Sequence, residues 1–259
     1  MKVWLALALS LLLSACATTY VPPTPSLNLP AKTKIGVLVV AGDNVNHSHI
    51  GTTVFNNFNT SYPFQWQMSN SIFDTLKAQL ERPERFEVVD LSKWNRMPLQ
   101  PLNFVEVRDQ NWQFTMEQDL LRKRLLAEGI QVVISVYETP SLAYLECGNY
   151  GCNEFYSQGY GLFTRSFLGM DNYFSSAAFA ISVETIHQPV DLTLMPKLET
   201  LTNYQAKHKI LDNFEDPKDF QNITASEMEP VRQSILDYFT MMGQQIKAYL
   251  NGEVNGTAS

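Results

Sequence analysis

Three apolar runs alternate with two amphipathic ones between residues 34 and 137. Lys34-Ile35-Gly36-Val37-Leu38-Val39-Val40 is almost continuously apolar, as a strand covered on both faces requires. Phe86-Glu87-Val88-Val89-Asp90 reads as a shorter strand and Ile130 to Tyr137 as a third. Between the first two, Ile72, Leu76 and Leu80 recur every four residues, which stacks them on one helix face. Ser69 is placed to cap that helix and Pro83 to stop it. Between the second and third, Thr115-Met116-Glu117-Gln118 has capping-box spacing. Leu121, Leu125 and Leu126 follow as an apolar face, and Gly129 is placed to end the helix. Strand, helix, strand, helix, strand predicts an α/β layer with crossover helices.

The pattern changes elsewhere. Residues 41–67 read as a long loop with room for one irregular strand, and residues 92–113, with Pro98 and Pro101, read as irregular. Residues 138–175 form an insertion rich in glycine and aromatics. Ser176 to Ile186 predicts a strong strand. Asp191 to Thr202 predicts its antiparallel neighbour, reached through His187-Gln188-Pro189. Residues 216–222 read as a polar connection. Thr224-x-x-Glu227 or Ser226-x-x-Glu229 is placed to cap a long final helix. Val231, Ile235, Phe239, Met242, Ile246 and Leu250 make its apolar stripe, a pattern that usually packs on the protein's own sheet. The expected fold is one α/β (α+β) domain over residues 34–250: a mixed sheet, crossover helices and a long C-terminal amphipathic helix. Residues 251–259 read as a flexible tail.

The N-terminus carries a different signal. Lys2 is followed by an apolar stretch from Leu5 to Leu13, too short to span a bilayer comfortably, and then by Leu13-Ser14-Ala15-Cys16. Leu-Ser-Ala-Cys resembles the lipobox of bacterial lipoproteins. The resemblance implies that residues 1–15 are an export signal and that Cys16 carries the lipid. Three acyl chains would hold the protein on a membrane. Ala17, where an Asp would favour the inner membrane, points to the periplasmic face of the outer membrane. Residues 16–33, with Pro22, Pro23, Pro25 and Pro30, read as a proline-stiffened tether.

Loss of the leader removes Lys2 and takes the net charge from −7 to −8. An acidic domain argues against nucleic acid and against anionic headgroups as partners. Besides Cys16 the chain has Cys147 and Cys152, in Cys-Gly-Asn-Tyr-Gly-Cys. After export the compartment is oxidising, so a disulfide is the expected use of that pair. Its small ring would add about 2 kcal/mol.

The tether, the strand Lys34 to Val40, the elements Arg85 to Asp90 and Gly129 to Val136, and the final helix resemble envelope modules of the TolB N-terminal type. That type is shared by curli-secretion lipoproteins of the CsgG kind and by lipoprotein activators of penicillin-binding proteins. Phe86 to Asp90 matches the family's Phe-x-Val-Val-Asp element, whereas Ser135 stands where a Gly is usual. Thr185-Ile186-His187-Gln188-Pro189 replaces its late Asp-x-x-Thr-Gly-Glu hairpin. The resemblance implies the fold more than any one function.

The most unusual stretch is 144–174. Tyr150, Phe155, Tyr156, Tyr160, Phe163 and Phe167 there, interspersed with glycines, form a candidate partner-binding surface. Such rings can meet a protein partner, a neighbouring subunit or the membrane, or can simply cover the sheet. Residues 155–168 do not alternate as a membrane-spanning strand must. His47 and His49 face one way if they lie on a strand, and with Asp43 they are weak metal-ligand candidates lacking further ligands at a recognisable spacing. Val39 to Asn44 follows a strand but holds no phosphate-binding glycine motif, and no nucleophile elbow or metalloprotease motif is present. The expected role is therefore a lipid-anchored, non-enzymatic binding or assembly module without a cofactor. An oligomeric secretion component and an envelope hydrolase or metal-binding protein are the alternatives.

Overall fold

A computed structural model describes residues 20–23, 25–148, 151–202, 207–212, 214–217 and 219–253. The leader 1–15, Cys16, Tyr150, the side chain of Cys147 and the tail beyond Glu253 lie outside the described residues. In chain order, β1 (Thr33–Val40), β2 (Val45–Ile50) and β3 (Phe58–Tyr62) precede α1 (Met68–Leu80). Then come β4 (Phe86–Asp90), the hairpin β5 (Val105–Arg108) and β6 (Asn111–Phe114), α2 (Asp119–Ala127) and β7 (Ile130–Glu138). Next are β8 (Ser141–Gly148), β9 (Gly151–Ser157), β10 (Gly161–Phe167), β11 (Met170–Ala177), β12 (Phe179–Thr185) and β13 (Val190–Asp191). A short α3 (Pro196–Thr202), β14 (Lys207–Ile210) and α4 (Glu229–Leu250) complete the chain.

The first sheet has the order β13-β12-β7-β1-β4. β1 runs parallel to β4 and β7, while β12 is antiparallel to β7, so the fold is mixed α/β as expected. The alternation of β1 explains its apolar run. Ile35, Val37 and Val39 face the core under α1 and α4; Leu38 faces a second core beneath α2 and the β5–β6 hairpin. All six stripe residues of α4 are buried in the first of these cores. Gly243 lets α4 lie against α1, since a Cβ there would come within 2.8 Å of Gln79 Cβ.

A buried carboxylate joins the β5–β6 hairpin to this sheet. Glu184 on β12 accepts the Phe104 and Val105 amides at 2.9–3.1 Å and is almost wholly buried. Burial, reinforced by Asp191, pushes its pKa up to about 8 despite those amides.

The second sheet, β14-β11-β10-β2-β3, departs most from the expectation. Residues 41–67 hold two strands, residues 92–113 hold a hairpin, and the 138–175 insertion is strand throughout much of its length. Ser176 to Ile186 is not one strand. Ala178 separates β11 in the second sheet from β12 in the first. Only Val190–Asp191 pairs with β12, after which the chain turns helical.

Two of the three expected caps are used otherwise. Ser69 lies inside α1 and ties it to the end of β1, accepting the Ala41 amide at 2.9 Å. Thr115 donates to the Asn103 carbonyl, and α2 begins only at Asp119. Thr224 and Glu227 do form a reciprocal box, one turn before α4 begins. The tether docks at several points: Pro22 is buried, Leu27 and Leu29 pack on the core, and Trp112 Nε1 donates to the Pro23 carbonyl. Gly252, at φ +71, ends α4 in the left-handed conformation that favours glycine, so the tail's first residues belong to the helix terminus.

Candidate functional site

Open α/β sheets bind ligands beyond the carboxyl ends of their parallel strands, where neighbouring connections diverge. Here that crevice, past Val40 of β1 and Glu138 of β7, is filled by the protein itself. Glu138 accepts the Gly42 amide at 2.7 Å and Asn46 Nδ2 at 3.2 Å. Tyr160 donates to the Gly42 carbonyl at 2.8 Å and lies between Trp66 and Phe179, within 6.2 Å of both rings. Burial pushes the Glu138 carboxyl up, and the Gly42 and Tyr160 amides oppose the shift. Gly161 has φ +146, and a Cβ there would fall 1.9 Å from the Asn46 carbonyl oxygen. That close approach joins β10 to β2, and the Glu138–Asn46 and Tyr160–Gly42 bonds seat the second sheet on the end of the first.

Sequence reasoning put His47 and His49 together correctly, both on β2, but the strand is embedded rather than looped. His47 is fully buried. Its Nδ1 lies 3.0 Å from the Tyr62 hydroxyl and its Nε2 2.9 Å from Thr164 Oγ1, while His49 Nδ1 lies 2.5 Å from that same Thr164 oxygen. The Tyr62 hydroxyl donates to the Phe220 carbonyl at 2.8 Å. A carbonyl can only accept, so the proton positions follow in sequence. Tyr62 spends its proton on Phe220 and must accept from His47 Nδ1–H. Neutral His47 then accepts at Nε2 from Thr164, which accepts from His49 Nδ1–H.

Burial, with His49 adding to it, lowers the His47 pKa to about 3, consistent with a neutral ring. Burial also lowers that of His49, opposed by Asp171 and helped by Arg165. This chain of bonds ends on a backbone carbonyl and cannot pass a proton on. It ties β2, β3 and β10 to the loop at Phe220. Both nitrogens of His47 are committed, which corrects the reading of this residue as a metal ligand. Asp43 makes no hydrogen bond or ion pair to either histidine among the described residues, where no cluster of three or more metal-ligating side chains forms.

The six aromatic candidates divide. Tyr160 and Phe163 are fully buried, which removes them from any surface: Tyr160 plugs the crevice, and Phe163 packs 4.4 Å from the His208 ring. Phe155 is half-buried against Phe163. Tyr156, 66% exposed, and Phe167, 47% exposed, remain accessible. The β8–β9 hairpin carries Tyr156 and places Gly148 opposite Gly151; Cys152 beside them is disulfide-bonded.

Sequence reasoning missed a group of exposed apolar side chains. Phe55 is 94% exposed, Val54 75%, Leu168 73% and Met170 63%. They sit on two adjoining loops at the distal end of the second sheet. The Leu168 amide donates to Thr52 Oγ1 at 3.0 Å, and Arg165 Nη1 to the Gly51 carbonyl at 2.9 Å. Leu168 and Gly169, at φ +50 and +80, make a tight turn between β10 and β11. The Leu-Gly pair between two strand-like runs was the signal available.

Beside this tip a cleft of about 610 Å³ is lined by Phe58, Phe220, Asp171, Asp216 and Asp219, among others. The three aspartates are exposed, and none has an ion pair among the described residues. No family model and no curated protein matches the chain.

Proposed function

We propose that this is an envelope lipoprotein, anchored through Cys16 to the periplasmic face of the outer membrane, that acts by binding a protein rather than by catalysis. One observation carries the reading. The crevice where this sheet type holds small ligands is packed with Glu138 and Tyr160, whereas large apolar side chains stand in solvent at the far end of the second sheet. Surface apolar clusters on a protruding loop pair mark interaction sites. We assign Cys147 as the partner of Cys152, which would close the β8–β9 hairpin at its turn.

In-cell photocrosslinking tests the role. A photoreactive residue in place of Leu168 should give a discrete adduct, and one in place of the exposed Glu87 on β4 should give none. The N-terminal peptide of the same purified protein should begin at an acylated Cys16. The absence of any Leu168-specific adduct removes the binding role, and an unmodified Cys16 removes the anchor.

A further inference from the structure

We propose that the distal tip of the second sheet docks a basic amphipathic segment of a partner protein. Its apolar side chains would lie on Phe55, Leu168 and Met170, and its lysine or arginine in the adjoining aspartate cleft. The inference rests on the binding role above and names the partner's chemistry.

The apolar half is held ready. Thr52 and Arg165 pin the two loops together, and the tight turn at Leu168-Gly169 fixes the direction of the exposed side chains. Little ordering entropy is then lost on binding. The cleft supplies the sign of the partner. Asp171 accepts from Ser166 Oγ, Asp216 from the Tyr173 hydroxyl, and Asp219 from the Gln221 amide at 2.8 Å. All these donors are neutral, so the bonds hold the carboxylates in place without themselves offsetting the charge. On the same hairpin, Arg165 Nη1 donates to the carbonyls of Gly51 and Ser166.

The competing occupants fit less well. A second copy would bring its own three carboxylates against these. An anionic bilayer surface would be repelled, and the whole chain is already at −7. The tip also lies at the end of the second sheet furthest from the first, whereas residues 23 and 26 dock beside Trp112 and Gln188. An anchor reaching the bilayer through those residues would leave the tip turned away from it.

The test uses the full chain in neutral phosphatidylcholine nanodiscs, with empty discs as blank, and two labelled helical peptides, one of leucine and lysine and one of leucine and glutamate. By fluorescence anisotropy the lysine peptide should bind at least about tenfold tighter. Asp171→Asn with Asp219→Asn should weaken the lysine peptide by about tenfold and leave the glutamate peptide unchanged or improved. Phe55→Ser with Leu168→Ser should weaken the lysine peptide as well, and both pairs are exposed substitutions whose circular dichroism should match the parent.

Equal binding of the two peptides overturns the proposal. So does tighter association with phosphatidylglycerol vesicles than with phosphatidylcholine ones, or self-association lost in Leu168→Ser. In cells, an adduct from position 168 that survives the aspartate substitutions overturns the basic partner and leaves the binding role standing; an adduct lost with them supports the inference. No adduct in the parent removes both.

Discussion

In the first sheet, β1 and β7 hold their neighbours with valine, isoleucine and leucine packed between helices. In the second, β2 and β10 bring His47, His49 and Thr164 to one face, where hydroxyl and imidazole groups bond to one another. The first is held by area removed from water, which tolerates small shifts of the packed side chains. The second is held by directional bonds among buried polar groups, which tolerate very little. One region is a scaffold and the other is specified atom by atom, and the exposed tip is built on the second.

The glycines give the largest expected contrast. Gly161→Ala puts a Cβ 1.9 Å from the Asn46 backbone oxygen at a φ only glycine adopts freely, so β2 and β10 must separate. The expected loss is on the order of 3 kcal/mol or more. Gly36→Ala in β1 meets Leu91 Cδ1 at 2.7 Å, the end of a side chain that can turn, and should cost about 1–2 kcal/mol. Urea unfolding of the two variants checks the order. A smaller loss for Gly161→Ala would contradict a rigid join between β2 and β10.

Acid and alkali should act on the two sheets with opposite sign. His47 titrates at about 3 when folded and near 6.5 when unfolded, and His208, half-buried in the same sheet, at about 4. Both bases have lowered folded pKa values. The stability tied to their neutral form is whole above pH 6.5 and drains as pH falls toward 3. Glu184 in the first sheet has a folded pKa raised from 4.5 to about 8, so its contribution is whole below 4.5 and drains as pH rises to 8. Near pH 5, His47→Gln should flatten the dependence of stability on pH by up to about 1.4 kcal/mol per unit. Glu184→Gln, which keeps an acceptor for the Phe104 and Val105 amides, should flatten it between pH 5 and 8. Unchanged slopes in either variant would mean that the group is not titrating as its burial demands.

How far each region could be read from sequence follows from the same contrast. Burial on both faces writes a continuous apolar run, so β1, β4, β7 and the stripe of α4 were legible. Strands such as Val45-Asn46-His47-Ser48-His49-Ile50 have no apolar period, because their inward side chains are polar and satisfied by partners as distant as Thr164. The β5–β6 hairpin was missed because its turn, Asp109-Gln110, holds positive φ at both residues without a glycine to announce it. Tyr160 and Phe163 looked adhesive because aromatics among glycines look alike in sequence whether the glycines permit exposure or, as at Gly161, permit close burial. The carboxylates of the cleft come from β11 and the loop before α4, and no local spacing could have joined them.

Ser69 gives the smallest and most diagnostic effect. As a helix cap its loss would fray α1 from its first turn and lower helicity. In the fold its hydroxyl instead accepts from Ala41 and reaches that residue's carbonyl at 3.3 Å, bridging the end of β1 to the helix. Ser69→Ala should therefore cost about 1 kcal/mol while leaving the α1 amide exchange pattern intact. The new exchange should appear at Ala41 and Gly42, next to the Glu138 carboxylate that closes the crevice. If the first turn of α1 opened instead, the helix would depend on its cap after all, and the crevice would be closed by Glu138 and Tyr160 alone.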